Sequence, residues 1–294
     1  MGAYARPAAL EEALGTLASG APGGAPWVIV AGATDHYPAR VGRVPDENVL
    51  DVTDIPRLRG IEAVDGGWWI GALTTWTDLV EAPLPPMFDG LKEAGRAVGG
   101  LQIQARGTIV GNVCNASPAA DGMPNLLALD AVVQLFSERG PRPVPVGRFV
   151  TGNRRTVRRP DELVTGIVVP DTLRGTTAHS SFEKLGSRAY LVISIAMAAA
   201  VVELGADGRI ARARVSVGAC SEVAQRLPTL EAELLAMGAA EAVAAIESVV
   251  RPEHLEQLQP IDDVRGTGAY RRDAALEIVR RSLVRVLDSD GAPE

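Results

Sequence analysis

The chain has 294 residues, 47% hydrophobic and 22% charged, the balance of a soluble globular protein with room for two domains. Lys and Arg number 29 against 36 Asp and Glu, and the net charge of −7 argues against non-specific binding to nucleic acid or to an anionic membrane. Two cysteines, Cys114 and Cys220, without a Cys-x-x-Cys spacing, offer no disulfide framework and fit a reducing cytoplasm.

The N-terminus, Met1-Gly2-Ala3-Tyr4-Ala5-Arg6, lacks a charged segment followed by an apolar run, so no signal peptide is expected. Leu10, Leu14 and Leu17 share one face of a predicted helix over 7–17, closed by Gly20 and Pro22. Trp27 to Val30 reads as a buried strand that breaks at Ala31-Gly32-Ala33-Thr34-Asp35. Further short strands are expected at Val49–Val52 and Trp68–Ile70. A helix is expected over Pro86–Val98, with Met87, Leu91, Ala94 and Val98 inward. The small-residue stretch 107–121 reads as a loop, with Cys114 a small packed residue in it. A short helix opening at Pro124 and a strand over 131–136 follow.

The arginine-rich run Asn153-Arg154-Arg155-Thr156-Val157-Arg158-Arg159 is either a solvated loop or a contact for phosphates or an acidic partner. Ile167–Pro170 closes this part, and a domain boundary is placed near residue 172. Beyond it the expected order is strand, helix, hairpin, helices. The apolar stretch 189–202 is too short for a bilayer, which needs about 20 residues, and reads as a buried helix running into a strand. Asp207-Gly208 marks a hairpin turn, 230–236 a helix, and 269–287 a helix with Leu276, Val279, Leu283 and Leu287 at helical spacing. Short strands and helices without βαβ alternation indicate an α+β fold.

Two stretches combine consecutive small residues with a hydroxyl: Ala31 to Asp35 and Thr108 to Asn112. Successive backbone N–H groups with little side-chain bulk form an anion-binding concavity. Two such loops would suit the two phosphates of a dinucleotide. Neither a P-loop Gly-Lys-Ser/Thr nor a Rossmann Gly-x-Gly-x-x-Gly occurs in them. His36, His179 and His254 lie apart, and no thiol or paired-carboxylate motif stands at ligand spacing, so no metal site is expected.

Ordered along the chain, several blocks resemble the FAD-binding medium subunits of the xanthine dehydrogenase and carbon monoxide dehydrogenase family of molybdenum hydroxylases. Val30-Ala31-Gly32-Ala33-Thr34-Asp35 is similar to that family's first flavin loop, Ala-Gly-Gly-Thr-Asp. Ile70-Gly71-Ala72 is similar to its Ile-Gly-Ala strand and turn. Thr108-Ile109-Val110-Gly111-Asn112, continuing to Ser117-Pro118-Ala119-Ala120-Asp121, is similar to its second loop, Thr-Ile-Gly-Gly-Asn…Ser-Pro-x-x-Asp. Gly152 to Thr156 with Asp161 to Val164, Phe182 to Arg188, and Asp263-Val264-Arg265-Gly266…Tyr270-Arg271-Arg272 match later blocks.

The resemblance implies a two-part FAD-binding domain of the vanillyl-alcohol oxidase type over 1–172, with subdomains at about 1–60 and 61–172. A small α+β C-terminal domain would follow over 173–294. It implies that Ala31 to Asp35 and Thr108 to Asn112 hold the FAD pyrophosphate through backbone amides, with Val30 and His36 at the two ends of the first loop also among the cofactor-binding residues. Ser117 and Asp121 would lie on the ribityl and flavin side, Val164 against the isoalloxazine ring and Lys184 at its polar edge, where a cation favours the reduced flavin.

From their own context, Asp121 also reads as an N-cap for the helix opening at Pro124, Val164 as a strand-core valine and Lys184 as a solvated lysine. His36 reads as a packed or hydrogen-bonded loop histidine, or as a covalent FAD attachment point as in some flavoenzymes of the wider fold. Ala33 and Val110 stand where the family has glycine, so either the backbone at Val110 is extended or FAD binding is weakened.

The implied function is electron transfer by an oxidoreductase subunit: FAD receives electrons from a partner's [2Fe–2S] cluster and passes them to NAD⁺, oxygen, a quinone or another acceptor. A cluster needs four cysteines, so an iron–sulfur small subunit and a molybdenum-cofactor large subunit are implied as partners, in a dimer of heterotrimers. No membrane span and no nucleic-acid partner are expected, and the location is cytoplasmic. The alternatives are a stand-alone flavin oxidase or reductase, and an interaction subunit without flavin.

Overall fold

The computed structural model describes residues 2–42, 46–171, 178–235 and 237–288. The N-terminal strands β1 (Tyr4–Ala5), β2 (Trp27–Val30) and β3 (Asn48–Asp51) form a parallel sheet in the order β1-β3-β2. The helix Leu10–Ala18, between β1 and β2 in the chain, buries Leu14 and Leu17 in the N-terminal core.

A second, antiparallel sheet uses β4 (Ile61–Val64), β5 (Gly67–Gly71), β6 (Val132–Ser137), β7 (Gly140–Pro145) and β10 (Leu163–Pro170), ordered β4-β5-β10-β6-β7. Between β7 and β10, β8 (Val150–Gly152) and β9 (Arg155–Thr156) make a small separate hairpin. Helices Trp76–Glu81, Asp89–Ala97, Ile109–Asn115 and Gly122–Ala128 fill the long connection from β5 to β6.

The third sheet, β11 (Ala178–Leu185), β12 (Ala196–Leu204), β13 (Ile210–Gly218) and β14 (Gln225–Arg226), is antiparallel in sequential order. Its strand β12 shows how the two halves join. Successive side chains of a strand point to opposite faces. Met197, Ala199 and Val201 belong to the N-terminal core, while Ala196, Ala198, Ala200 and Val202 pack with the long helix Gly268–Asp288 in a second core. Buried on both faces, β12 reads as a nearly continuous apolar run rather than an alternating one.

Most expected elements are present within a residue or two. The expected boundary at 172 lies outside the described residues. Gly208 takes φ 74° in the hairpin turn between β12 and β13, as its position demands. Three expectations are corrected. The stretch 107–121 is not all loop: Ile109–Asn115 is a helix, because Thr108 Oγ1 accepts from Gly111 N–H at 2.9 Å and Ile109, Val110 and Val113 bury one face. Cys114 lies off that face and is exposed.

The helix expected before β12 is absent. Tyr190, Leu191 and Ile193 are exposed in a loop, and the alanines that favour a helix are held instead by pairing with β11 and β13. Finally, the short helix starts at Gly122 rather than Pro124. Among the described residues no helix is long and apolar enough to cross a membrane.

Candidate functional site

The two small-residue loops meet. A β-carbon on Gly32 would stand 1.9 Å from the backbone oxygen of Arg106, and one on Gly107 would stand 3.3 Å from Thr34 Oγ1. Only glycine permits this approach of one backbone to the other. Between them opens a pocket of about 150 Å³ whose wall includes Ala31, Gly32, Arg59, Thr75, Arg106 and Thr108.

The first loop leaves β2 after Val30 and turns through Ala33, which takes φ 56°. Left-handed backbone costs a residue with a β-carbon about 1–2 kcal/mol. Among the described residues, none of the N–H groups of Gly32, Ala33, Thr34 and Asp35 donates a hydrogen bond. Gly32, Ala33 and Thr34 are half-buried and Asp35 is exposed, so these donors are within reach of solvent, and successive N–H groups left undonated within the protein are available to an incoming anion.

His36 lies just beyond, its Nε2 3.3 Å from Glu47 Oε1 and its ring edge-on to Tyr37 at 5.1 Å. Burial, with Arg40 adding to it, holds its pKa below the usual imidazole value against the pull of Glu47.

The second loop is more committed. Ile109 N–H donates to Thr74 O at 3.1 Å, Asn112 N–H to Thr108 O at 3.0 Å, and Gly111 N–H to the Thr108 hydroxyl. Val110 N–H has no partner among the described residues. Val110 lies in the first turn of the helix with negative φ, 3% exposed. Of the two alternatives at Val110, an extended backbone is not what is found: the φ is helical and accepts valine without strain. Asn112 Oδ1 accepts from Gly122 N–H at 3.3 Å, and Ser117 Oγ from Ala119 N–H at 3.3 Å.

Asp121 does not cap the helix it precedes; its carboxylate turns toward the C-terminal half of the chain. Lys184 Nζ on β11 donates to Oδ2 at 2.6 Å and Ser194 Oγ donates to Oδ1 at 2.6 Å. Lys184 also reaches Ala97 O at 3.4 Å and is 12% exposed, so the solvated reading is corrected. Burial pushes the Asp121 carboxyl above its usual range, and Lys184 and Ser194 pull it back. Val164 is 4% exposed in the core beside the bulge of β10, opposite Leu135.

Sequence reading missed Ser194, which sits in the stretch taken for a helix. It named Arg154 only as one of a run. Arg154 Nη1 donates to Asp35 Oδ2 at 2.7 Å, joining the β8–β9 turn to the first loop.

Comparison with known proteins places the whole chain. Residues 1–172 match the model of the FAD binding domain in molybdopterin dehydrogenase, and residues 181–286 that of the CO dehydrogenase flavoprotein C-terminal domain. The nicotine 6-hydroxylase medium subunit of Paenarthrobacter nicotinovorans is 28% identical over 289 residues, covering 96% of this chain and 95% of that one. The nicotinate dehydrogenase FAD-subunit of Eubacterium barkeri is 30% identical over 292 residues, covering 96% and 95%. A chain of carbon monoxide dehydrogenase from Hydrogenophaga pseudoflava superimposes with a TM-score of 0.83 at 26% identity, covering 97% and 96%.

Proposed function

The chain belongs to the FAD-binding medium subunits of the molybdenum hydroxylases, and from that premise we propose that it relays electrons from a partner's [2Fe–2S] cluster to an external acceptor. The observation that carries the reading is the row of four undonated N–H groups, Gly32 to Asp35, held against the second loop. An anion of the size of a pyrophosphate satisfies such a row without any lysine.

In this reading Val30 to His36 and Thr108 to Asn112 line the pyrophosphate site, with Gly32 and Val110 offering amides and Gly107 the close approach. Asn112 fixes the second loop to Gly122, and Ser117 shapes the turn into Asp121. Asp121 and Lys184 face the flavin side as a buried, mutually neutralising pair, while Val164 supports the site from the core. Bound FAD supplies the redox chemistry. The chain supplies its position, the polarity around it and the exclusion of water.

The domain division 1–172 and 173–294 belongs to the same proposal, as do a cytoplasmic location and a dimer of heterotrimers. Two cysteines are fewer than the four a [2Fe–2S] cluster takes, so iron–sulfur and molybdenum centres are assigned to partner subunits. Isolating the assembled complex tests this. FAD, iron and molybdenum should co-purify with the chain in fixed ratio. A flavin-loaded chain that associates with neither metal-bearing partner would contradict it.

A further inference from the structure

The arginine run 153–159 has no part in the reading above, yet it does not face empty solvent. Arg158 Nη1 donates to Glu162 O at 2.8 Å, and Arg159 N–H to Glu162 Oε2 at 2.8 Å, both within their own loop. Arg154 and Arg155 instead reach out to different bodies. Arg155 Nη2 donates to Glu222 Oε1 at 2.9 Å, beyond β13, and Asn153 N–H to the same oxygen at 3.1 Å. Arg154 Nη1 donates to Asp35 Oδ2 at 2.7 Å, on the first small-residue loop, and to Asn115 Oδ1, at the end of the helix that Thr108 caps. The Arg154 N–H donates to Ala116 O at 2.8 Å.

Arg154 also holds φ 58°, a conformation unfavourable to any residue with a β-carbon and open to glycine. Arg154 shares this backbone with other non-glycine residues of the chain, Ala33 and Ala116 among them; what sets it apart is the side chain, which reaches a carboxylate 119 positions away.

We propose that Arg154 is a positioning residue for the dinucleotide. It straps the first loop to the helix of the second, and it neutralises Asp35, whose carboxylate would otherwise confront the pyrophosphate as a like charge. The inference rests on the FAD reading above. An exposed ion pair contributes little to folding by itself. Its consequence here is local: the four free N–H groups keep a fixed distance from Val110, and an anion meets a neutral rim.

FAD titration of the full chain by flavin fluorescence tests this, with melts of the FAD-free protein alongside. Arg154→Met should weaken FAD binding roughly tenfold, the worth of about one charge-assisted hydrogen bond. Adding Asp35→Asn should recover roughly threefold or more, because the stranded carboxylate is gone. Arg154→Gly should weaken FAD as Arg154→Met does while the FAD-free melting temperature holds or rises. Wild-type affinity in Arg154→Met overturns the strap, as does a double variant no better than Arg154→Met. A melting temperature that falls in step with affinity in Arg154→Gly would show a merely structural arginine. A wild-type chain that binds no FAD overturns the strap and the FAD reading together.

Discussion

The first small-residue loop holds alanine at φ 56° with its neighbouring amides undonated within the protein, whereas the second has a buried valine in a helical turn whose Ile109, Gly111 and Asn112 amides are hydrogen-bonded. Both positions are glycine in the family the chain resembles, yet only the first replacement meets a left-handed backbone. A motif glycine therefore matters where φ or a close contact demands it, and elsewhere the position is free to serve the core. The second loop is the fixed wall, anchored by its cap, by Asn112 and by Asp121 to β11. The first loop is the open half, held against that wall by Gly32 and Arg154.

The largest expected effect comes from removing the contact between the two. A methyl group at Gly32 would sit 1.9 Å from the Arg106 carbonyl oxygen, a backbone atom that cannot step aside. Gly32→Ala should destabilise on the order of 4 kcal/mol and abolish FAD binding, which chemical denaturation and titration would show. Wild-type stability would mean that the loops do not meet.

Next is the anchor of the wall. Lys184→Met strands a buried carboxylate and should cost about 3 kcal/mol at neutral pH. Burial already raises the Asp121 pKa, and a raised folded value means that the ionised form carries the penalty. The contribution of such a group is favourable below its unfolded pKa and is lost as pH rises through the folded value. Without Lys184 that folded value climbs further, so the deficit of Lys184→Met should narrow as pH falls from 7 to 5. Melts of both proteins across that range check the sign.

Smaller effects separate the two replaced glycines. Val110→Gly restores the family residue but should cost about 2 kcal/mol, through lost helix propensity and a core cavity. Ala33→Gly should stabilise by about 1 kcal/mol, because it relieves positive φ at little cost to packing. Opposite signs from two changes toward the same motif would confirm the contrast, and equal signs would erase it.

Much of this was legible in the sequence, and the failures have physical causes. Strong local signals, such as the Leu276–Val279–Leu283–Leu287 face and the Asp207-Gly208 turn, match observed elements because periodicity and turn chemistry act locally. The helix Ile109–Asn115 was hidden because glycine and asparagine dilute its apolar stripe, while its cap is a single hydroxyl. The alanines of β12 favour a helix by propensity, and only burial between two cores makes them a strand. Asp121 showed its position but not its partners, since Lys184 and Ser194 lie 63 and 73 residues away. Arg154 was visible as charge and invisible as a strap, because its strain and its Asp35 contact exist only in the fold.

If two converging loops hold a flavin dinucleotide through their backbones, the purified wild-type chain binds FAD on titration. Saturation is expected at one FAD per chain, with the absorbance bands of bound flavin and quenched fluorescence. A colourless protein that takes up no FAD at any concentration would contradict it.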